Sequence, residues 1–172
     1  MPTIYSENNQ FTILSKSGNK IAEGTMINHR IERELKLFQK NVLVSQLYYK
    51  EGKREGPFRI YNPKNGLLMK TGFFSNNKKE GKLTVFDDKG CVIAEEFYIQ
   101  DIIQQKLAFY PTGELLKEQR YTNGIETSSK TFYKSGNLLE EKYCNDKGET
   151  IRMARFMDDG FVTETFTIKK SD

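Results

Sequence analysis

The sequence predicts an all-β protein, an elongated single-layer antiparallel β-meander of about seven hairpin repeats. Three observations predict this fold. Aromatic side chains recur at a nearly constant spacing along the 172 residues, turns rich in Gly and Asn follow them, and the runs between turns alternate with a period of two. With 12 Phe and 9 Tyr, the chain is too aromatic to be disordered.

Two aromatic series run in step. The first closes a short alternating run before each turn, at spacings of 23, 25, 24, 23 and 23 residues, and consists of Phe38, Tyr61, Phe86, Tyr110, Tyr133 and Phe156. The second interleaves with it at spacings of 25, 24, 23, 22 and 23, and consists of Tyr49, Phe74, Tyr98, Tyr121, Tyr143 and Phe166. Each period is too short for two helices, so each copy is predicted to form one β-hairpin.

The repeat also predicts the domain organisation. Residues 1–10 form an N-terminal edge segment, 11–166 the repeat array and 167–172 a C-terminal tail. The stretch from Arg30 to Phe38 has some helical character, but it falls in phase with the repeat and is therefore predicted to be a strand.

The charge distribution favours some partners over others. The net charge is +4, and residues 50–89 carry ten basic and five acidic side chains, a local excess of five. This peak is too weak for a dedicated nucleic-acid-binding protein. An apolar run long enough to span a bilayer is absent from the sequence, as is a signal-peptide pattern, which predicts a cytoplasmic protein.

The residues that could perform chemistry are few. His29 is the one histidine and is expected in an exposed hairpin turn, where Gly52 stands in a later copy. Cys91 and Cys144 are expected to be free thiols, with Cys91 a small buried residue at the start of a strand. Nucleotide-binding and hydrolase motifs are absent, so the sequence predicts a non-enzyme without metal or cofactor.

The turn cores support a family resemblance. Residues 51–61, EGKREGPFRIY, resemble the N-G-K-x-x-G-x-x-x-x-Y core of MORN repeats, and residues 77–81, NKKEG, resemble it too. Residues 110–118 and 133–141 resemble the Y-x-x-G-x-L-x-x-E half of the bacterial MORN-variant repeat. The second glycine of the core is replaced in later copies, where Gln105, Ser128 and Thr150 stand.

The resemblance implies a binding module of the YwqK-type antitoxin family. It suggests an antitoxin, immunity-type or scaffold protein that acts by stoichiometric binding to a protein partner, such as a cognate toxin. The alternative is a module that binds anionic lipid or a membrane surface through the basic middle of the array. Pairing of edge strands into a homodimer is also open.

The sequence places the partner-binding surface in the third and fourth copies. Basic turn cores there lie one period apart, and one ring of each aromatic doublet at 48–49 and 73–74 must lie on the less buried face, because neighbours in a strand face opposite sides. The alternative is that these turns are merely solvated and the doublets fill two thin layers. The predicted contact residues are Tyr48, Lys53, Arg54, Arg59, Phe73, Lys78 and Lys79.

Overall fold

The computed structural model describes residues 2–168, and this part of the chain is entirely β-strand and turn. It contains no helix, and therefore none that is long and apolar enough to cross a membrane. The strands pair antiparallel, each with its neighbours in the meander. The prediction of an open, all-β antiparallel meander of hairpins is confirmed, including a strand over Arg30–Gln39.

The chain divides into two compact units, the first ending at Gly90 and the second beginning at Cys91. The first unit contains β1 Thr3–Glu7, β2 Gln10–Leu14, β3 Lys20–Ile27, β4 Arg30–Gln39, β5 Val42–Lys50, β6 Lys53–Arg54, β7 Gly56–Tyr61, β8 Leu68–Ser75, β9 Lys78–Lys79 and β10 Gly81–Phe86. The second contains β11 Val92–Ile99, β12 Ile102–Phe109, β13 Leu115–Thr122, β14 Ile125–Phe132, β15 Leu138–Cys144, β16 Thr150–Phe156 and β17 Val162–Thr167.

Within residues 2–168, the seventeen strands form fifteen hairpin arms, because two arms are each split in two. Glu55 separates β6 from β7, which begins at Gly56 with φ +115°, and Glu80 separates β9 from β10, which begins at Gly81 with φ +72°. Both are the second glycine of a turn core, and their positive φ is a conformation that favours glycine at an irregularity in the strand. Where Gln105 and Ser128 replace this glycine, β12 and β14 are each one strand, although their pairing with β11 and β13 shifts register next to these residues.

Seven hairpins account for fourteen of these arms, and the additional arm is β1. It lies in the predicted N-terminal edge segment and pairs with β2. At the other end, Thr167 closes β17, although the tail was predicted to start there. Residues 169–172 of the predicted tail lie outside the described residues.

Tight turns join many of the arms. In seven turns both central residues have positive φ, the requirement of the type I′ turn that matches the twist of a hairpin. These turns are Asn8–Asn9, Asn28–His29, Lys40–Asn41, Glu51–Gly52, Asn76–Asn77, Gln100–Asp101 and Asn123–Gly124. His29 lies in such a turn and is exposed, as predicted.

The first unit has one apolar face, which carries its core. Phe11 lies directly opposite Gly24, and Gly24 lies opposite Leu35 on the next strand. The same arrangement recurs about two periods later, where Phe58 lies opposite Gly72. A Cβ at Gly72 would stand 2.8 Å from the Phe58 ring, so this glycine makes room for the aromatic side chain.

The second unit lacks such an apolar row in its described residues. Among its largely buried side chains are Ala94, Ser129, Cys144 and Ala154, all small. Cys91 is exposed and precedes β11, so the expectation that it is buried was wrong. Its position before the first paired residue of the strand leaves it in the preceding turn segment.

One member of the second aromatic series is displaced. Tyr98 and Tyr121 each follow a register shift at the end of a strand, and the residue in that position on β15 is Cys144. Tyr143 lies one residue earlier and faces the opposite side, because adjacent strand residues alternate. The displacement is visible in the sequence as the spacing of 22 residues between Tyr121 and Tyr143, which is shorter than the other spacings of the series.

Candidate binding surfaces of the first unit

An open groove of about 790 Å³ lies on the apolar face of the first unit. Strands β1 to β4 form it, and its apolar lining consists of Ile4, Phe11, Ile13, Ala22, Met26, Ile31, Leu35 and Leu37. Two of these side chains are exposed to solvent, Ile4 at 65% and Met26 at 40%. The groove therefore offers accessible apolar surface rather than a closed core.

The strand period explains why this groove is apolar. Phe11 and Ile13 are two residues apart in β2, as are Leu35 and Leu37 in β4, so each pair faces the same side. At the turn end the lining becomes polar, with side chains from the turns Asn8–Asn9 and Asn28–His29. Glu7 is the one charged carboxylate among the described residues that line it.

The opposite face of the first unit is polar and carries a continuous network. Lys20 Nζ lies 2.6 Å from Glu23, and Lys36 Nζ lies 3.6 Å from Glu23 and 3.2 Å from Glu34. The Gln46 amide donates to Glu34 on the neighbouring strand. Side chains from three successive strands, β3 to β5, are thus linked across this face.

The network shifts the ionisation of its members. The hydrogen bond from Gln46, aided by Lys36, lowers the pKa of the Glu34 carboxyl below its usual value against the opposing effect of burial. The same carboxylate raises the pKa of the Lys36 ammonium and, through its hydrogen bond, the pKa of Tyr48. All three groups therefore keep their ordinary charge states near neutral pH.

Three of the predicted contact residues lie on this polar face. Tyr48 donates its hydroxyl proton to Glu34 at 3.1 Å, and Arg59 donates to Gln46 Oε1 at 3.4 Å. Phe73 lies opposite Pro57, and its ring is exposed. Tyr48 and Arg59 are thus held by neighbours of their own sheet, while Phe73 presents apolar surface to solvent.

The other four predicted residues lie near the turns. Arg54 is bound internally, since its guanidinium lies 4.1 Å from the Phe74 ring centre and donates to the Asn77 carbonyl at 2.8 Å. Lys79 pairs in register with Phe74, on the face opposite Phe73. Lys53 and Lys78 are exposed beside the turns. The structure therefore divides the seven residues between two faces and a turn edge.

Neighbouring turn cores are in direct contact, as their spacing of one period suggested. The Asn77 side chain accepts from the Arg54 backbone at 2.8 Å, and Asn77 N donates to the Arg54 carbonyl at 2.9 Å. Glu55 accepts from Asn76 N at 2.7 Å. An equivalent bond joins Asn41 to the backbone of Lys20 at 2.7 Å.

Sequence reasoning missed the groove. The signal for it in the sequence was the apolar residues spaced two apart, Phe11 with Ile13 and Leu35 with Leu37, together with Gly24 between the two pairs. Finding it required the pairing of residues Phe11 and Gly24, which only the hairpin register supplies. Within residues 2–168, no group of three or more His, Cys, Asp or Glu residues is arranged to hold a metal ion.

Comparisons with known proteins add little. No protein-family model matches the chain, and no curated protein matches its sequence. A solved structure of the GtfA/B complex bound to UDP and GlcNAc aligns with 51% of this chain at 14% identity and a TM-score of 0.35. A crystal structure of TarM aligns with 66% at 11% identity and a TM-score of 0.31.

The aligned regions cover only 22% and 18% of those two chains. A mutant of S. aureus TarM in complex with fondaparinux, alpha-GlcNAc-glycerol and UDP aligns with 67% of this chain at 8% identity and a TM-score of 0.33. These scores are too low to indicate a shared fold, and nothing about function follows from them.

Proposed function

We propose that this chain is a non-catalytic protein-binding module that acts by stoichiometric binding, as an antitoxin, immunity-type or scaffold protein. The observation that carries the proposal is the open apolar groove on β1 to β4 of the first unit. An exposed apolar surface of this kind, rimmed by polar side chains, is typical of an interaction site.

The composition of the groove favours a protein partner. Its floor is made of aliphatic side chains and Phe11, and its rim carries the amides of the Asn8–Asn9 turn and of Asn28. Protein interfaces have the same arrangement, a dry apolar centre enclosed by a polar rim. The exposed side chains of Ile4 and Met26 are suited to packing against apolar residues of a partner.

Binding to anionic lipid stays an alternative, and the positions of the basic side chains bear on it. Lys64 lies in the turn after β7, Lys53 and Lys78 lie beside turns before β7 and β10, and Lys70 pairs with Ile60. These cations point to both faces and both turn edges rather than to one surface. A flat basic surface would bind anionic lipid more strongly.

The test uses two neighbouring residues of β1. Ile4 lines the groove, while the adjacent Tyr5, also exposed, faces the other side of the strand. We expect Ile4→Glu to reduce capture of a stoichiometric protein partner from a lysate of the source cells at least about tenfold, because a carboxylate in an apolar interface is costly. Tyr5→Glu should leave capture unchanged, and circular dichroism should show both variants folded.

The captured protein is then purified and titrated against the wild-type chain to measure stoichiometry. Equal loss of capture in both variants, or loss with Phe73→Glu alone, would reject the groove and favour the predicted surface in the third and fourth copies. Salt-sensitive binding to vesicles containing anionic lipid, without a protein partner, would support the lipid alternative.

A further inference from the structure

The outer edge of β17 is an uncovered strand edge in the second unit. Among the described residues, β17 pairs with β16 and with no other strand. All six of its residues are exposed, and Phe166 keeps 45% of its surface accessible. Such an edge presents backbone groups ready to pair with another chain.

The register shows which backbone groups point outward. Ile168 N donates to the Ile151 carbonyl at 2.9 Å, so the backbone of Ile168 points toward β16. Because backbone groups alternate in direction along a strand, the N–H and C=O groups of Phe166 also point toward β16. The N–H and C=O groups of Thr165 and Thr167 therefore point away from β16.

This edge lacks the usual protection against pairing. Val162–Thr167 contains neither Pro nor Lys, and three of its six residues are Thr, which favours strands. Its one charge is Glu164, whose carboxylate accepts from the Arg155 guanidinium at 2.9 Å and is therefore compensated within the sheet. Natural edge strands are commonly guarded by an unpaired charge or a proline.

We propose that β17 pairs antiparallel with β17 of a second copy of this chain, around a two-fold axis at Phe166. In this register Thr165 lies opposite Thr167 of the partner subunit, and their outward backbone groups exchange hydrogen bonds. Phe166 then faces Phe166 of the partner subunit across a non-hydrogen-bonded position, where side chains approach most closely. Aromatic pairs and Thr pairs at facing positions both stabilise strand pairing.

The symmetry closes the assembly at two copies. A two-fold interface uses the same strand from both chains and leaves no further copy of that edge free. Pairing of β17 with β1 of another chain would instead be head-to-tail and would give open polymers. The two modes therefore differ in the assembly they produce.

Single cysteines test the register directly, in a Cys91→Ser background that removes the exposed native thiol. Residues facing each other at a non-hydrogen-bonded position have Cα atoms about 4.5 Å apart, within the range for a disulfide. We expect Phe166→Cys to form at least about ten times more covalent dimer under mild oxidation than Thr165→Cys or Thr167→Cys. Preferential crosslinking at Thr165, or no crosslinking at any of the three positions, would overturn the proposal.

Sedimentation of the full chain provides a second measurement. The mass should rise from 20.0 kDa toward about 40 kDa with increasing concentration. Thr165→Pro removes an outward donor and should keep the chain monomeric, while Thr165→Val keeps the donor and should still dimerise. Equal masses for the two variants, or species larger than a dimer, would contradict the two-fold pairing.

Discussion

The two units share one hairpin pattern but differ in what holds the strands together. In the first unit, large side chains lie over glycines on the neighbouring strand, as Phe58 does over Gly72. In the second, charged and amide side chains bridge the strands without such packing, as Glu126 does between Gln119 and Lys142. The first unit has similar bridges, such as Gln46 to Glu34, on its polar face. One repeat can therefore be stabilised either by apolar packing or by polar links between side chains.

The comparison also shows what each solution requires. Apolar packing on a single sheet needs glycines that let aromatic rings approach the backbone. Polar links need long side chains in facing positions, and each link contributes less than a buried aromatic side chain. The first unit should consequently be more sensitive than the second to truncation of a buried aromatic side chain.

The largest expected effect is at Phe58, which is only 6% exposed and whose ring centre lies 4.8 Å from that of Phe74. Phe58→Ala should lower the free energy of unfolding by about 3–5 kcal/mol, because it removes the side chain that fills the space over Gly72. Urea denaturation measures the loss, and hydrogen exchange should place it in β7 and β8. Tyr143→Ala, at an exposed position of β15, is the control and should cost about 0.5 kcal/mol. Similar losses in both would refute the contrast between the units.

The second glycines of the turn cores should give the next largest effect. Gly56→Ala should cost about 2–3 kcal/mol, because φ is +115° and the new Cβ would stand 3.1 Å from Tyr48 Cβ. Gly81→Ala should cost only about 1 kcal/mol, since φ is +72° and no atom lies within 4 Å of its added Cβ. At the equivalent position in the second unit glycine is the less stable residue, so Ser128→Gly should destabilise the protein by about 0.5–1 kcal/mol. Thermal or urea unfolding of the three variants checks this order.

The ion pair in the second unit should have a smaller, pH-dependent effect. Glu126 Oε1 is buried, and the Lys142 ammonium nitrogen lies 2.8 Å from it. The two groups form an ion pair without the geometry of a hydrogen bond. Burial alone would raise the pKa of Glu126, but the contacts with Lys142 and Gln119 outweigh it and hold that pKa below its usual value. Glu126→Gln should therefore cost on the order of 1–2 kcal/mol at pH 7.

The sign of the pH dependence follows from the lowered pKa. The stabilisation by ionised Glu126 is present above its unfolded-state pKa of about 4.3 and is lost as the pH falls through the lower folded-state value. The stability difference between wild type and Glu126→Gln should thus shrink as the pH drops below about 4. Asp146→Asn, at an exposed turn position, serves as the matched control and should show little difference at pH 7. A difference that stays constant down to acid pH would exclude this role for the pair.

The smallest effect is expected at Arg33, which occupies the position of Gly56 one period earlier and has φ +60°. A side chain with a Cβ is strained there, so Arg33→Gly should raise the free energy of unfolding by about 0.5–1 kcal/mol despite the added freedom of the unfolded chain. A loss of stability would show that contacts of the Arg33 side chain outweigh the backbone strain.

The sequence could predict the strands and turns, because the period and the turn residues are local features. It could not predict which face each aromatic side chain occupies, since every register shift moves a residue to the other side. Tyr143 illustrates this, because Cys144 takes its expected position once the following turn becomes longer. The groove was likewise hidden, as its floor joins residues from four strands.

The predicted contact residues show the same limit. Their proximity along one turn edge followed from the period, and the bonds between Arg54 and Asn77 agree with it. The engagement of Arg54 with Phe74 depends on a cross-strand neighbour that no local pattern specifies. Composition identified the basic middle of the array, but only the pairing shows that its cations are spread over different sides.

The bonds between successive turns bear on how such a chain can change in length during evolution. The Asn41 side chain accepts from the backbone of Lys20, and that of Asn77 from the backbone of Arg54, so these two turns are each bound to a residue 21 or 23 positions earlier. A one-residue insertion between the two would break that bond and move the following strand to the wrong side. A duplication of one whole period would preserve both. Gene changes that add or remove complete copies are therefore the ones this architecture tolerates.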